Sequence, residues 1–519
     1  MISLGMGLLV GFLSLCTAKL IRTKIAILGG GMSGVMAANT LSQNGISDFL
    51  IIEAESVLGG RIKETTFDKY IIELGANWIA GIQNHKTRKE NPIWTMAKKY
   101  NLSSTSSDTN NLLTYDQNGF RNYLDVVDRA FVHFDQVLYD AEKREESNLE
   151  DLSFADGQRL RGWMPETSYE KVADWWAFDF EFADTPSASS MIRTAANEKA
   201  THGQWSVHDQ FVTDQRGYAF LVRQKAKTIA TNKNILYNSI VTKVTYSNDS
   251  VNITLKDGLI IWADYAICTF SIGVLQHKDV QFMPQFPVWK QESIFSFKMV
   301  TYTKIFLQFS HKFWDNVQFC LYADPYRRGY YPLWQSLSEI GFLPDSNILV
   351  VTVVGDQALI VEAQIKNRTL TEIMEVLRSM YGNNIPEPNN FYYYRWTLDP
   401  LYRGSYSNWP TGTSQCQHQN LGRPVGRLHF AGEAYSREYY GFVHGAYIEG
   451  LKTGQKLADY VLGKTFTADN RDYSCKQYSS REQKQIILSL LSRLQSHKNS
   501  KNAKVSIYAP SQNSFDVEH

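Results

Sequence analysis

The chain has 519 residues, with 53 Lys and Arg against 52 Asp and Glu, 43% hydrophobic and 20% charged residues. That length suffices for about three ordinary domains and a large core, and the near-zero net charge excludes a global basic field for nucleic acid. The composition excludes a collagen, a coiled coil, a polytopic membrane protein and wholesale disorder; its unusual feature is 13% aromatic residues, a hint of apolar walls around a flat ligand.

The N-terminus opens on an apolar run of 13 residues, Leu4 to Cys16, closed by Cys16-Thr17-Ala18. A membrane span needs about 20 apolar residues, whereas a short run ending in small residues reads as a secretory signal. Residues 1–18 are therefore expected to be a signal peptide and the protein to be secreted, with the endomembrane system as the alternative, although the n-region has no Lys or Arg. Sequons at Asn101, Asn248, Asn252 and Asn367 agree with export. Beyond Cys16, four cysteines stand far apart at Cys268, Cys320, Cys416 and Cys475. They show neither metal-ligand spacing nor a disulfide framework; one bridge is open to them, and its pairing is not readable.

A strand at Lys24 to Leu28 leads into Gly29-Gly-Gly31-Met-Ser33-Gly34, then a helix over Val35 to Asn44 and a second strand, Phe49 to Ile52, ending in Glu53. Gly29 allows the tight turn, Gly31 lets the backbone approach a pyrophosphate, and Gly34 lets helix and strand pack closely. The helix N-terminus offers oriented N–H groups to phosphate, and Glu53, 19 residues after Gly34, can accept from ribose hydroxyls. Strand, loop, helix, strand and acid in this order predict a Rossmann-like dinucleotide site.

Further motifs follow in order: Glu53-Ala54 with Gly59-Gly60-Arg61; Leu74-Gly75-Ala76-Asn77-Trp78-Ile-Ala80-Gly81; the alternating strand Tyr302-Thr-Lys304-Ile-Phe306; Tyr394-Arg-Trp396 with Gly404-Ser-Tyr406; and Gly432-Glu433 with Gly441-Phe442-Val443. Together, over residues 22–465, they resemble the flavin-containing amine oxidase family, and within it the polyamine oxidases of the secreted plant-type branch. The resemblance implies an α/β fold in which a Rossmann-like FAD domain (19–100, 206–290 and 400–465) is interwoven with an α+β substrate domain (101–205 and 291–399). It implies FAD held at Gly29, Gly31, Ser33, Gly34, Glu53, Arg61, Gly75, Ala76, Asn77, Trp78, Val241, Gly432, Glu433, Phe442 and Val443. The FAD should be non-covalent, because no Cys stands between Asp399 and Trp409 or between Gly432 and Gly445.

The activity implied is oxidation of spermine- or spermidine-like amines by O2. Hydride passes from the carbon beside a secondary amine to flavin N5, the imine hydrolyses, and reoxidation yields H2O2. Lys304 shares a strand face with Tyr302 and Phe306; burial among rings would lower its pKa, and in the family the equivalent lysine holds a water against N5. Tyr302, Trp396, Tyr406 and Phe442 are the ring candidates at the reacting amine, though rings taken singly are more often core. For the distal ammonium groups Glu181 is first choice among the interleaved acids and rings of Trp175 to Asp184, with Asp184 and Asp179 behind it; Trp78 and Ala80 complete the predicted substrate wall.

Two departures from the family stand out. Polyamine oxidases usually carry Glu or His where Ala80 stands, and plant-type enzymes often have Tyr at Phe442. Both bear on which amine is preferred. His85, in a basic loop beside Ala80, reads as a surface residue. The rivals are a flavin oxidase of another amine or L-amino acid, which needs an inward Arg such as Arg395 or Arg403, and a secreted flavoprotein that lost catalysis; a histone demethylase fits poorly with a secretory leader. The expected partners are a small polyamine and O2, with no nucleic acid, no metal, and no membrane contact apart from the leader or the tail, and the protein is expected to be a monomer. The polar tail 466–519, with eight Lys and Arg against five Asp and Glu, carries an amphipathic pattern from Glu482 to Leu494.

Overall fold

The computed structural model describes residues 20–229 and 233–464, so the expected signal peptide and the Glu482 to Leu494 pattern lie outside the described residues. Strands rich in Ile, Leu and Val without alternation are those buried on both faces. Leu20–Leu28 and Phe49–Ile52 are such strands and pair in parallel, Ile25 opposite Phe49 and Leu28 opposite Ile52. Helix Met32–Gln43 connects them, starting three residues earlier than its apolar pattern, because Gly31 ends the extended turn directly at Met32.

These strands belong to an eight-stranded sheet in the order Ile235–Leu236, Phe49–Ile52, Leu20–Leu28, Ile260–Cys268, Val251–Leu255, Val241–Tyr246, Gln281–Met283, with Leu428–Phe430 parallel beside Ile260–Cys268. Its antiparallel part is formed by Val241–Tyr246, Val251–Leu255 and Ile260–Cys268, with Val244 opposite Ile253 and Val251 opposite Ala263. Helix Val443–Val461 lies on Met32–Gln43 at glycine-mediated closeness: a Cβ on Gly450 would stand 2.3 Å from the Ser33 carbonyl oxygen, and one on Gly454 2.8 Å from that of Ala37.

A second, mixed sheet has seven strands, Asn390–Tyr393, Tyr302–Gln308, Ile348–Val354, Leu333–Ser336, Phe319–Ala323, Leu112–Asp116 and Gly119–Phe120. The long helix Leu124–Glu146 packs Val127, Phe134 and Val137 into a core shared with Trp175, Phe178 and Phe319. Two stretches leave α geometry for π turns, Trp175–Asp179 and Lys199–Gly203. Such turns are rare and recur at functional sites. Cys268 and Cys320 are free and buried, and Cys416 is disulfide-bonded. No helix among the described residues is long and apolar enough to cross a membrane.

Candidate active site

A cavity of about 960 Å³ runs between the elements of the two sheets, at the upper end of ligand-site volumes. Its first end is the dinucleotide turn. Gly29 has φ +108, and a Cβ on Gly34 would lie 2.0 Å from the Gly29 carbonyl oxygen; Gly34 therefore serves helix–strand packing and does not itself line the cavity. Gly31 does line it, and a Cβ there would meet nothing nearer than the Gly59 oxygen at 3.8 Å, so the bare glycine leaves space that a side chain would fill. Neighbouring Ser33 is 4% exposed, and its Oγ has no partner among the described residues. That unpartnered hydroxyl, at a helix N-terminus with no side-chain cap, is what a pyrophosphate oxygen would satisfy.

Glu53 closes this end. One carboxylate oxygen accepts from Gly30 N–H at 2.7 Å and the other from Glu55 N–H at 2.8 Å, and burial still holds its pKa above the usual range. Each oxygen keeps a lone pair for ribose hydroxyls. Arg61 reaches across to Glu433 at 2.8 Å, and Glu433 also accepts from Ser407 Oγ at 2.6 Å and Gly441 N–H at 2.8 Å. Glu433 is thus a buried tie between the Gly59-Gly60-Arg61 turn, the strand Tyr406–Asn408 and the loop before helix Val443–Val461. Gly75, Ala76, Asn77, Val241, Gly432, Phe442 and Val443 line the same cavity. The unpartnered Ser33, the open Gly31 and the two uncapped helix N-termini, at Met32 and Val443, fit FAD; no Cys is among the lining residues.

Lys304 stands in the middle of the cavity wall, 6% exposed on the second strand of the seven-stranded sheet. Its Nζ donates to the Glu73 carbonyl at 3.2 Å and to the Gly75 carbonyl and lies 5.7 Å from the Trp78 ring centroid. Two carbonyls leave one of its three donors for the cavity. Burial pushes its pKa down to about 7, against the pull of Glu73. The predicted face alternation holds: Ile305 and Leu307 belong to one apolar core and Phe306 to another that contains Trp396.

The predicted rings all line this cavity, but differently. Trp396 is a wall, 2% exposed and edge-on to Tyr394 and Tyr402. Tyr302 and Tyr406 face each other with centroids 6.1 Å apart, and Tyr406 Oη donates to the Glu181 backbone carbonyl at 2.7 Å. Phe442 stacks on buried His444 at 4.7 Å.

The far end is acidic. Glu181 lines it, and burial, reinforced by Glu198 and Asp209 and opposed by His202, raises its pKa to about 8. Glu198, His202 and Asp209 line the same end. His202 Nδ1 is 2.8 Å from Glu198, and its Nε2 is 3.5 Å from Asp209. Burial alone would lower this histidine, yet the two flanking carboxylates hold its pKa well above the ordinary value. Asp209 also accepts from Gly81 N–H at 2.8 Å, beside Ala80. The sequence pointed to none of these three; the four-residue spacing of Glu198 and His202 was their one local trace.

Two predicted acids do not belong here. Asp184 is 4% exposed and ion-paired to Lys298 at 2.8 Å, and Asp179 is paired to Arg328 at 2.5 Å; neither lines the cavity. The helix that carries Glu181 ends at Ala183 in left-handed conformation, φ 52, which turns Asp184 away. His85 is exposed near His208. Arg403 is held by Asp279 at 2.6 Å and Arg395 donates to the Gln364 carbonyl at 2.8 Å, so neither offers a carboxylate clamp to the cavity.

Residues 32–458 match the model of the family described as flavin containing amine oxidoreductase. The chain is 36% identical over 470 residues to polyamine oxidase 1 of Zea mays, covering 86% of this chain and 92% of that protein. It is 36% identical over 457 residues to polyamine oxidase 7 of Oryza sativa subsp. japonica, covering 83% and 94%. Among solved structures, wild-type putrescine oxidase bound to putrescine shares the fold at TM-score 0.66 and 16% identity, covering 86% of this chain and all (100%) of that one. The chain belongs to the flavin-containing amine oxidoreductase family and is an FAD-dependent amine oxidase, with polyamine oxidases among its relatives.

Proposed function

We propose that the enzyme oxidises polyamines such as spermine or spermidine at the carbon beside a secondary amine. The observation that carries this reading is the acidic far end of the cavity. Three carboxyls, Glu181, Glu198 and Asp209, face one histidine there. A carboxyl that burial has lifted to about 8 regains its charge when an ammonium group arrives. A substrate with a second cation a few carbons from the reacting nitrogen satisfies both ends. Asp209 and Glu198 then supply the charge that the family usually places where this chain has Ala80.

Bound non-covalently along the Gly29 to Gly34 turn, Glu53 and Val443, FAD would supply a two-electron acceptor for the C–H bond and a donor to oxygen. Phe442, Tyr406 and Tyr302 form a desolvated slot in which the reacting nitrogen is favoured as the neutral base, and the distal cation is held by the acids. Tyr406 couples the two ends, since its hydroxyl is bonded to the backbone of Glu181. Lys304 presents a buried amine able to hold a water and to carry a proton at neutral pH. The net reaction converts amine, O2 and water into an aldehyde, a shorter amine and H2O2. The leader and the sequons support secretion; Asn101, Asn248 and Asn367 are exposed.

Product analysis tests the reading. FAD-loaded protein incubated with spermine should yield one aldehyde and one shorter amine by mass spectrometry, with equimolar H2O2. Protein of full FAD content that turns over neither spermine nor spermidine, yet oxidises an L-amino acid, would replace this reading with its rival.

A further inference from the structure

Next to the large cavity lies a small space of about 20 Å³, lined by Glu73, Thr213, Asp214 and Gln335 among apolar side chains. Asn77 and Lys304 line both spaces and so form the wall between them. Two atoms at the small space are unpartnered among the described residues, Glu73 Oε2 and Gln335 Nε2, on side chains of residues 7% and 5% exposed. The other Glu73 oxygen accepts from Tyr218 N–H at 2.6 Å. An acceptor and a donor left unpaired in a core are costly, and 20 Å³ is room for one water, which needs two or more polar partners.

We propose that this space holds one water bridging Glu73 and Gln335, and that Glu73 is a positioning residue that fixes Lys304 and sets its charge. The inference rests on the reading of Lys304 as the amine beside the flavin. Glu73 acts from two directions. Its backbone carbonyl takes one Lys304 donor at 3.2 Å, and its carboxyl, when ionised, supports the ammonium form. Burial raises Glu73 to about 8, tempered by the Tyr218 N–H, and lowers Lys304 to about 7. The other charges around Glu73 are already matched: Glu64 with Arg223 at 2.5 Å and Asp214 with Arg216 at 2.6 Å. A proton can therefore sit on either member of the Glu73–Lys304 pair without changing the net charge of the wall.

The test is a pH titration of the flavin absorbance of resting holoenzyme, with no substrate present. Wild type should show a transition near neutral pH that Lys304→Met abolishes. Glu73→Gln should move it down by about one pH unit, and Glu73→Asp should restore part of the shift. A high-resolution crystal structure of the wild type should show the bridging water, and Gln335→Leu should remove it. A transition unmoved in Glu73→Gln, no Lys304-dependent transition at all, or a dry space in the crystal each overturns the proposal. Anaerobic bleaching of the wild type by spermine is read separately, so failure of the polyamine reading is not confused with failure of this one.

Discussion

The two ends of the cavity are built by different means. At the dinucleotide end the working groups are backbone N–H groups and bare glycines in one contiguous turn, Gly29 to Gly34. At the acidic end they are side-chain charges: Glu181 from just after one π turn, Glu198 from just before the other and His202 from within it, and Asp209 from the chain beyond it. The first end depends on local geometry that a sequence encodes in order. The second depends on where tertiary packing aims each carboxylate. Consequently a single change should abolish the first end and only tune the second.

The largest effect is expected at Gly34→Val. A Cβ alone would stand 2.0 Å from the Gly29 carbonyl oxygen, and neither backbone segment can yield without opening the turn. The variant should purify with no flavin absorbance, or not fold. Next comes Lys304→Met at the junction of the ends. Loss of a positioned proton carrier typically costs about 10²-fold, so stopped-flow reoxidation by O2 should slow by that order while anaerobic reduction changes little. At the acidic end, Glu198→Gln should raise KM for spermine about tenfold, equivalent to about 1.4 kcal/mol, with kcat nearly unchanged, the pattern of lost uniform binding. If kcat fell equally instead, the acidic end would be part of the reacting centre and the comparison would break.

The smallest effect concerns pH. With Glu181 raised to about 8 in the free enzyme, it is neutral below that pH and must release a proton before it pairs with a cation. KM for spermine should therefore fall as pH rises through about 8 and level off until the substrate's own ammonium groups deprotonate near pH 10. A KM flat across that range would place the cation elsewhere.

The same contrast explains what the sequence revealed. The Gly-x-Gly-x-x-Gly turn, Glu53, Arg61 and the alternation around Lys304 were legible because spacing along the chain fixes spacing in space. The acids were only partly legible. Helical periodicity puts Glu181 and Asp184 on one face, but left-handed Ala183 breaks the helix between them and sends Asp184 to Lys298. Asp179, on the π turn, goes to Arg328 instead. Asp209 enters because Gly81 N–H holds it beside Ala80, a contact across 128 residues that no local pattern announces. Glu73 was invisible as a candidate, since its significance lies in a small space shared with Gln335.

The most direct test of the central claim is anaerobic mixing of the FAD-loaded enzyme with spermine and with a monoamine of equal length, following the flavin absorbance. Bleaching by both, saturating at much lower concentration for spermine, with that advantage shrinking in Glu198→Gln, is the result expected of a cavity whose far end binds a second cation. Equal saturation by the two amines, or no bleaching by spermine, would contradict it.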